Sequence, residues 1–265
     1  EAFSKATGVP VEISRESYED VQPKASVAAN TGTGPDLFWG LYSLPHLFPQ
    51  KCMDVTDVTD YLGKKYGGWV ESAVQYGKSG NKWICVPICY SGNMVNYRLE
   101  ASKKAGFSKI PDKTDGFLEY AKAMKKNNTP GGFALGHASG DGNGWVHWCL
   151  WSHGGNTVDK ADKVIINSPE TAKALEYAKA LYAEMIPGVA SWNDASNNKA
   201  LVSGKAALIM NPPSAWAVAK RDAPQVAEQL WTFPAPKGPK GRFEPFLPFY
   251  WTIWSFSKNK PAAKS

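Results

Sequence analysis

The chain lacks a long hydrophobic run. No stretch of its 265 residues approaches the 18 uninterrupted apolar residues that a membrane-crossing helix needs. Concentrated positive charge is also missing. Lys and Arg number 30 against 24 Asp and Glu, but the basic residues cluster only in pairs such as Lys103–Lys104 and Lys125–Lys126. A dispersed, solvated surface is therefore expected, with no nucleic-acid partner. Cysteine is sparse: Cys52, Cys85, Cys89 and Cys149 form no CxxC or Cys/His spacing of a zinc site. Cys85 and Cys89 fall in KWICVPICYSG, which reads as a strand around Pro87. Four strand residues span about 13 Å, beyond disulfide reach, so buried free thiols are expected. HExxH, GxSxG, GxxxxGK[ST] and GxGxxG are all absent. The four histidines, His46, His137, His147 and His153, thus read as satisfied structural residues, and no metal or cofactor is called for. The sequence contains no signal peptide. It opens on EAFSKATG, read as the end of an amphipathic helix closed by Gly8, and stops at SKNKPAAKS, where a helix begins. Both ends predict an incomplete chain.

Tryptophan is abundant, with eleven in the chain. The segment GDGNGWVHWCLWSHGGN, residues 140–156, places Trp145, Trp148 and Trp151 at spacing three between glycines. In a helix they fall on a face about 120° wide, either a core surface or a platform for something flat. One of the three, Trp145 beside the glycines, is expected to reach a ligand. Asp141 and Asn143 in front of it suit capping the helix or binding hydroxyls.

Short apolar runs alternate with helical stretches. VPVEIS (9–14) has the period of a strand. YEDVQPKASVAANTG reads as a helix with a glycine stop, and PDLFWG as a short buried strand. KWICVPICYSGNMVNYR is a long extended segment. DGFLEYAKAMKKN is a helix capped by Thr114 or Asp115, with Leu118, Ala121 and Met124 as its apolar stripe. The clearest helix covers 168–188, with Ser168 as N-cap, Pro169 at the first position, a stripe of Leu175, Ala178, Leu181 and Met185, and a stop at Pro187–Gly188. NNKALVSGK is a short helix, AALIMN a strand, NPPS a turn and AWAVAKRD a helix. FPAPKGPKGRFEPFLP is a Pro/Gly-rich crossing and FYWTIWSF (249–256) a final strand. The alternation predicts an α/β architecture with mostly parallel sheets. Ligands in such sheets sit at strand ends, and PDLFWGLYS, ICYSGN and IMNPPSAW carry aromatic and small polar residues together there.

In this order and spacing, GTGPDLFWG, GNKWICVPICYSGNMVNYR, NSPETAKALEYAKALY, ALVSGKAALIMNPPSAW and TIWSFSKNKPAAK resemble the family 1 extracellular solute-binding proteins. These are carbohydrate-type receptors of bacterial ABC importers, similar to maltose-binding protein. The resemblance covers nearly the whole chain. It implies an α/β, two-lobed periplasmic-binding-protein fold with hinge strands and an interlobe ligand cleft, and a full length of about 400 residues. It implies an N-lobe of residues 1–94 and 237–265 and a C-lobe of 95–236. It places Trp39 and Tyr42 at the ligand after the first strand, with Tyr90, Ser91 and Asn93 at the first hinge crossing. IMNPPSAW resembles the family's NGPWAW-type turn: Asn211 and Trp216 match, whereas Ser214 stands where a stacking Trp is usual. Thr114 similarly replaces the Trp of a TWDEL signature.

In the final strand Phe249, Trp251 and Ile253 point one way and Tyr250, Thr252 and Trp254 the other, so Tyr250 and Trp251 are both ligand candidates. Trp39 and Trp145 are expected to sandwich a sugar ring. The resulting expectation is a non-enzymatic, monomeric, periplasmic or extracytoplasmic receptor that delivers a sugar or polyol to ABC permease subunits. The alternative is a glycoside hydrolase. Asp141 would then need a second acid about 5–9 Å away, and the sequence names none.

Overall fold

The computed structural model describes residues 2–136 and 138–265. The chain begins with α1 (Ala2–Thr7), α2 (Tyr18–Thr31), β1 (Leu37–Leu41), α3 (Thr56–Tyr66) and α4 (Glu71–Gly77). A hairpin of β2 (Lys78–Ser79) and β3 (Lys82–Trp83) leads into β4 (Val86–Gly92) and β5 (Met94–Arg98). Then come α5 (Leu99–Lys104), α6 (Thr114–Lys126), α7 (Asp141–Ser152), α8 (Pro169–Ala183), α9 (Ser196–Ser203) and β6 (Leu208–Asn211). The chain closes with α10 (Ser214–Asp222), α11 (Pro224–Ala227), β7 (Leu230–Phe233), β8 (Phe246–Ile253) and α12 (Lys260–Lys264). It divides into two compact units. The first runs to Tyr90 and resumes at Pro248–Ser265; the second is Ser91–Leu247. The chain thus changes unit inside β4 and inside β8, where the resemblance put the divisions at 94 and 237.

The sheet of the first unit has the order β1-β8-β4. β1 pairs antiparallel with β8, so that Phe38 faces Thr252, Trp39 faces Trp251 and Leu41 faces Phe249. The period of two gives the sheet two distinct faces. On one, Phe38 and Trp254 stack at 4.5 Å and pack under Ala25, Ala28 and Ala29 of α2. The alanines allow this close approach, and Gly32 closes the helix in the left-handed region (φ 70°). On the other face, Leu37 and Ile253 pack with Val55, Trp83 and Trp69, while Trp39 and Trp251 stand exposed.

The second unit holds a sheet of order β6-β5-β7, also antiparallel. Its main core joins Val95 and Tyr97 of β5 to Phe117, Tyr120 and Met124 of α6, Trp145 and Trp148 of α7, and Leu181 of α8. A second cluster gathers Leu201, Ile209, Ala215 and Ala219. Ser168 caps α8 as expected, its hydroxyl accepting from the Thr171 amide at 3.2 Å. The Pro/Gly crossing is pinned by Arg242, which donates to Asp112 and to the Ala235 carbonyl, and by Lys237 at 3.0 Å from Asp112.

Several expectations are corrected. The ladders β1–β8, β2–β3, β5–β6 and β5–β7 are antiparallel; parallel pairing survives in isolated bridges such as Gly131 with Met185 and Leu208. Helix–strand alternation implies parallel neighbours only when successive strands enter one sheet side by side, and here the crossing strands return against their neighbours. Residues 9–14 carry no strand and are exposed, because a period of two becomes a strand only with a ladder partner, and among the described residues none pairs there. α6 starts after Lys113 without a side-chain cap, and its buried stripe is Phe117, Tyr120, Ala121 and Met124. α8 buries Thr171, Ala174, Tyr177 and Leu181 and leaves Leu175 61% exposed. It ends at Ala183, ahead of Pro187. Cys52, Cys85 and Cys149 are buried free thiols, but Cys89 is exposed, since β4 turns that position outward. Burial pushes the Cys52 thiol up to about 12.

Candidate functional site

In the first unit the candidate residues gather on the bare end of the β1–β8 face. Trp39 and Trp251 are 39% and 44% exposed, with ring centroids 6.4 Å apart and planes 33° from parallel. Phe249 is buried and stacks on Trp39 at 5.0 Å. Tyr18, the first residue of α2, sits 5.7 Å from the Trp39 ring and 6.2 Å from Phe249. Tyr42 directly follows β1, half-buried, with an unusual positive φ of 50° and its amide donating to the Pro248 carbonyl at 3.3 Å. Trp251 is therefore on the exposed face. Tyr250 lies on the other, fully buried, its ring 6.2 Å from Tyr76 and its hydroxyl pushed well above the ordinary phenol range by burial. Tyr90 and Ser91 are half-buried in β4.

In the second unit the polar candidates form a buried network. The Asn197 amide donates to Asp141 Oδ2 at 3.0 Å and to Asn211 Oδ1 at 2.9 Å. Asn211 in turn donates to Ser214 Oγ at 3.1 Å and to the Pro212 carbonyl at 2.9 Å. Asn96 donates to the Asn211 carbonyl at 2.7 Å. The amides of Gly140 and Asp141 donate to the two oxygens of Asp194 at 2.9 and 2.8 Å, so Asp194, and not Asn143, caps α7 electrostatically. Asn143 is exposed and donates to the Ser139 carbonyl at 2.7 Å. Asn93, between β4 and β5, is 3% exposed, and neither polar atom of its amide has a hydrogen-bond partner among the described residues. A Cβ at Gly144 would collide with Asn93 Nδ2, so glycine there is what admits the Asn93 amide against α7.

Trp145 does not present a face to a ligand. It is 2% exposed in the core, and its indole N–H donates to the Ala134 carbonyl at 2.9 Å. Trp148 is likewise sealed and donates to the Pro236 carbonyl at 2.8 Å. The indoles of Trp145 and Trp148 have each found an acceptor, which is the condition for burying tryptophan without penalty. The expected pairing of Trp39 with Trp145 around one ring is withdrawn on this ground. Trp151 is half-buried and stacks on His147 at 4.8 Å, whose pKa burial lowers. Trp216 and Ser214 are exposed at the start of α10, with Lys220 Nζ 4.9 Å from the Trp216 ring. His46 Nε2 and His153 Nδ1 lie 2.7 Å from the carbonyls of Tyr76 and Cys149; His137 lies outside the described residues. Among the described residues no group of three or more His, Cys, Asp or Glu side chains is arranged to hold a metal ion, and no helix is long and apolar enough to cross a membrane.

Four participants escaped the sequence reading. Tyr18, Asn96 and Asp194 reach their partners only through tertiary packing. Asn197 carried a faint signal, an Asn pair on a helix otherwise stopped by Gly204.

The same fold occurs in solved sugar-binding proteins. T. maritima MalE3 in its maltose-bound form superposes with a TM-score of 0.85 at 23% identity, covering 99% of this chain and 70% of that one. The GacH receptor of Streptomyces glaucescens, also solved with acarbose, gives 0.81 at 24% identity, covering 99% and 68%. A ribitol-bound solute-binding protein of Agrobacterium radiobacter gives 0.83 at 20% identity, covering 99% and 69%. At these identities the likeness establishes the two-lobed α/β fold. A probable ABC transporter-binding protein of Deinococcus radiodurans is 23% identical over 215 residues, 78% of this chain and 50% of that protein. The chain thus spans about half the length of the curated relatives it matches. The family described as bacterial extracellular solute-binding protein matches residues 1–265, and the chain belongs to that family.

Proposed function

We propose that the chain captures a sugar or related polyol outside the cytoplasmic membrane and delivers it to the permease subunits of an ABC importer. In this reading the two compact units are the lobes implied by the resemblance, and the protein acts as a monomer without turnover or nucleic-acid binding. The observation that carries the proposal is the exposed Trp39 on a rigid sheet, backed by buried Phe249. Sugars combine apolar C–H faces with hydroxyl rims, so a receptor needs flat aromatic surface and short polar groups. Relatives solved with maltose, acarbose and ribitol support the ligand class.

The test is titration calorimetry against a panel of sugars and polyols. About 60–100 Å² of shared apolar contact at Trp39 contributes roughly 1.5–2.5 kcal/mol, so Trp39→Ala is expected to weaken binding about ten- to seventyfold while the protein stays folded. Unchanged affinity in a folded Trp39→Ala protein removes Trp39 from the site. Turnover of a glycoside, abolished by Asp141→Asn, would overturn the non-enzymatic reading.

A further inference from the structure

We infer that the ligand of this chain has at least two joined sugar rings, the first stacked on Trp39 and the next on Trp251, and is neither a lone monosaccharide nor an open-chain polyol. This rests on the sugar-binding reading above and narrows its substrate class.

Four observations within the first unit carry it. Trp39 and Trp251 are register partners across the β1–β8 ladder, so both indoles rise from the same side of the sheet and the backbone hydrogen bonds fix their spacing. Their centroids are 6.4 Å apart, on the scale of neighbouring rings in a glycan. Both are substantially exposed, whereas Phe249 behind Trp39 and Ile253 beyond Trp251 on the same face are buried. The bare area is thus confined to two adjacent rings, because the Leu37–Ile253 end of the face is already covered by Val55 and Trp83. Finally, the two planes differ by 33°, which suits successive rings turned about a glycosidic bond better than one flat ring laid across both. A single ring on Trp39 leaves the second indole in water, and an open-chain polyol has no ring face to offer either.

The experiment is calorimetry on this chain with three glucose series, each containing glucose and either maltose and maltotriose, cellobiose and cellotriose, or laminaribiose, plus ribitol and mannitol. The expected result is a disaccharide bound about tenfold or more tightly than glucose. Trp251→Ala should bring that disaccharide-to-glucose ratio near one, Trp251→Phe should largely restore it, and Trp39→Ala should weaken both ligands. If glucose or a polyol binds as tightly as every disaccharide, or if Trp251→Ala leaves the ratio intact, the inference fails while the sugar-binding reading stands. A Trp251→Ala protein with a lowered melting temperature and an unchanged ratio makes Trp251 a packing residue and likewise overturns it. If no member of the panel binds the unsubstituted chain, the sugar-binding reading falls, and this inference with it.

Discussion

In the first unit Trp39 and Trp251 stand 39% and 44% exposed on a sheet face, whereas in the second Trp145 and Trp148 are almost fully buried and hydrogen-bonded to backbone carbonyls. The side chain is the same in both; the element beneath it differs. The inner side of α7 packs against β5, α6 and α8 while Asn143 and Val146 face outward, so Trp145 and Trp148 are enclosed and each meets an acceptor. A two-strand ladder covered at only one end leaves its remaining ring pair in water. Polar groups follow the converse pattern. The second unit encloses Asp141, Asn197 and Asn211 in a connected network, while polar contacts of the first unit such as Asp36 with Ser257 and Asn259 lie nearer its surface. Burial of amides is uncommon, and the two exposed indoles of the first unit lie paired on one sheet face, which makes these two places the ones to perturb.

The largest effect is expected in the enclosed tryptophans. Trp148→Ala or Trp145→Ala should destabilise the second unit by about 3–5 kcal/mol through the cavity left behind, read by denaturant unfolding followed by circular dichroism. A much smaller loss would mean that these rings are not enclosed and would break the contrast. Next comes the network. Asn197→Ala strips the amide donor from Asp141 Oδ2 and Asn211 Oδ1 and should be destabilising by about 1–3 kcal/mol, measurable in the same way. Smaller still is the folding effect of Trp39→Ala or Trp251→Ala, within about 1.5 kcal/mol, since mainly contacts between neighbouring rings are lost. If either unfolds the protein as severely as Trp148→Ala, the exposed pair belongs to a core after all.

The smallest expected effect is pH-dependent. Hydrogen bonds from Ser257 (2.6 Å) and Asn259 (3.1 Å) hold the Asp36 carboxyl below the usual carboxylate range. A carboxylate with a depressed native pKa contributes stability that is fully present above its unfolded value, about 3.9, and is lost as pH falls through the native value. Melting temperature followed from about pH 6 to about pH 2 should therefore drop less steeply in Asp36→Asn than in the parent chain. Identical acid limbs would show that Asp36 contributes nothing to holding the chain end against β1.

Local chemistry alone determined much of the chain. Ser168–Pro169 opened α8, left-handed glycines ended α2 and α9, and the period of two in FYWTIWSF separated Trp251 from Tyr250, because caps, breakers and alternation act over a few residues. The ordered motifs also pointed to the family. Tertiary structure decided the rest. Which side of β8 met water depended on where Val55 and Trp83 packed, dozens of residues away in sequence. Whether Trp145 faced a ligand or a core depended on the Ala134 carbonyl lying within reach of its indole. Whether Asn211 and Asp141 were available to a ligand depended on Asn197, which joins them across the fold. Enclosure and hydrogen-bond pairing are properties of neighbours brought together by folding, and no local pattern in a sequence records them.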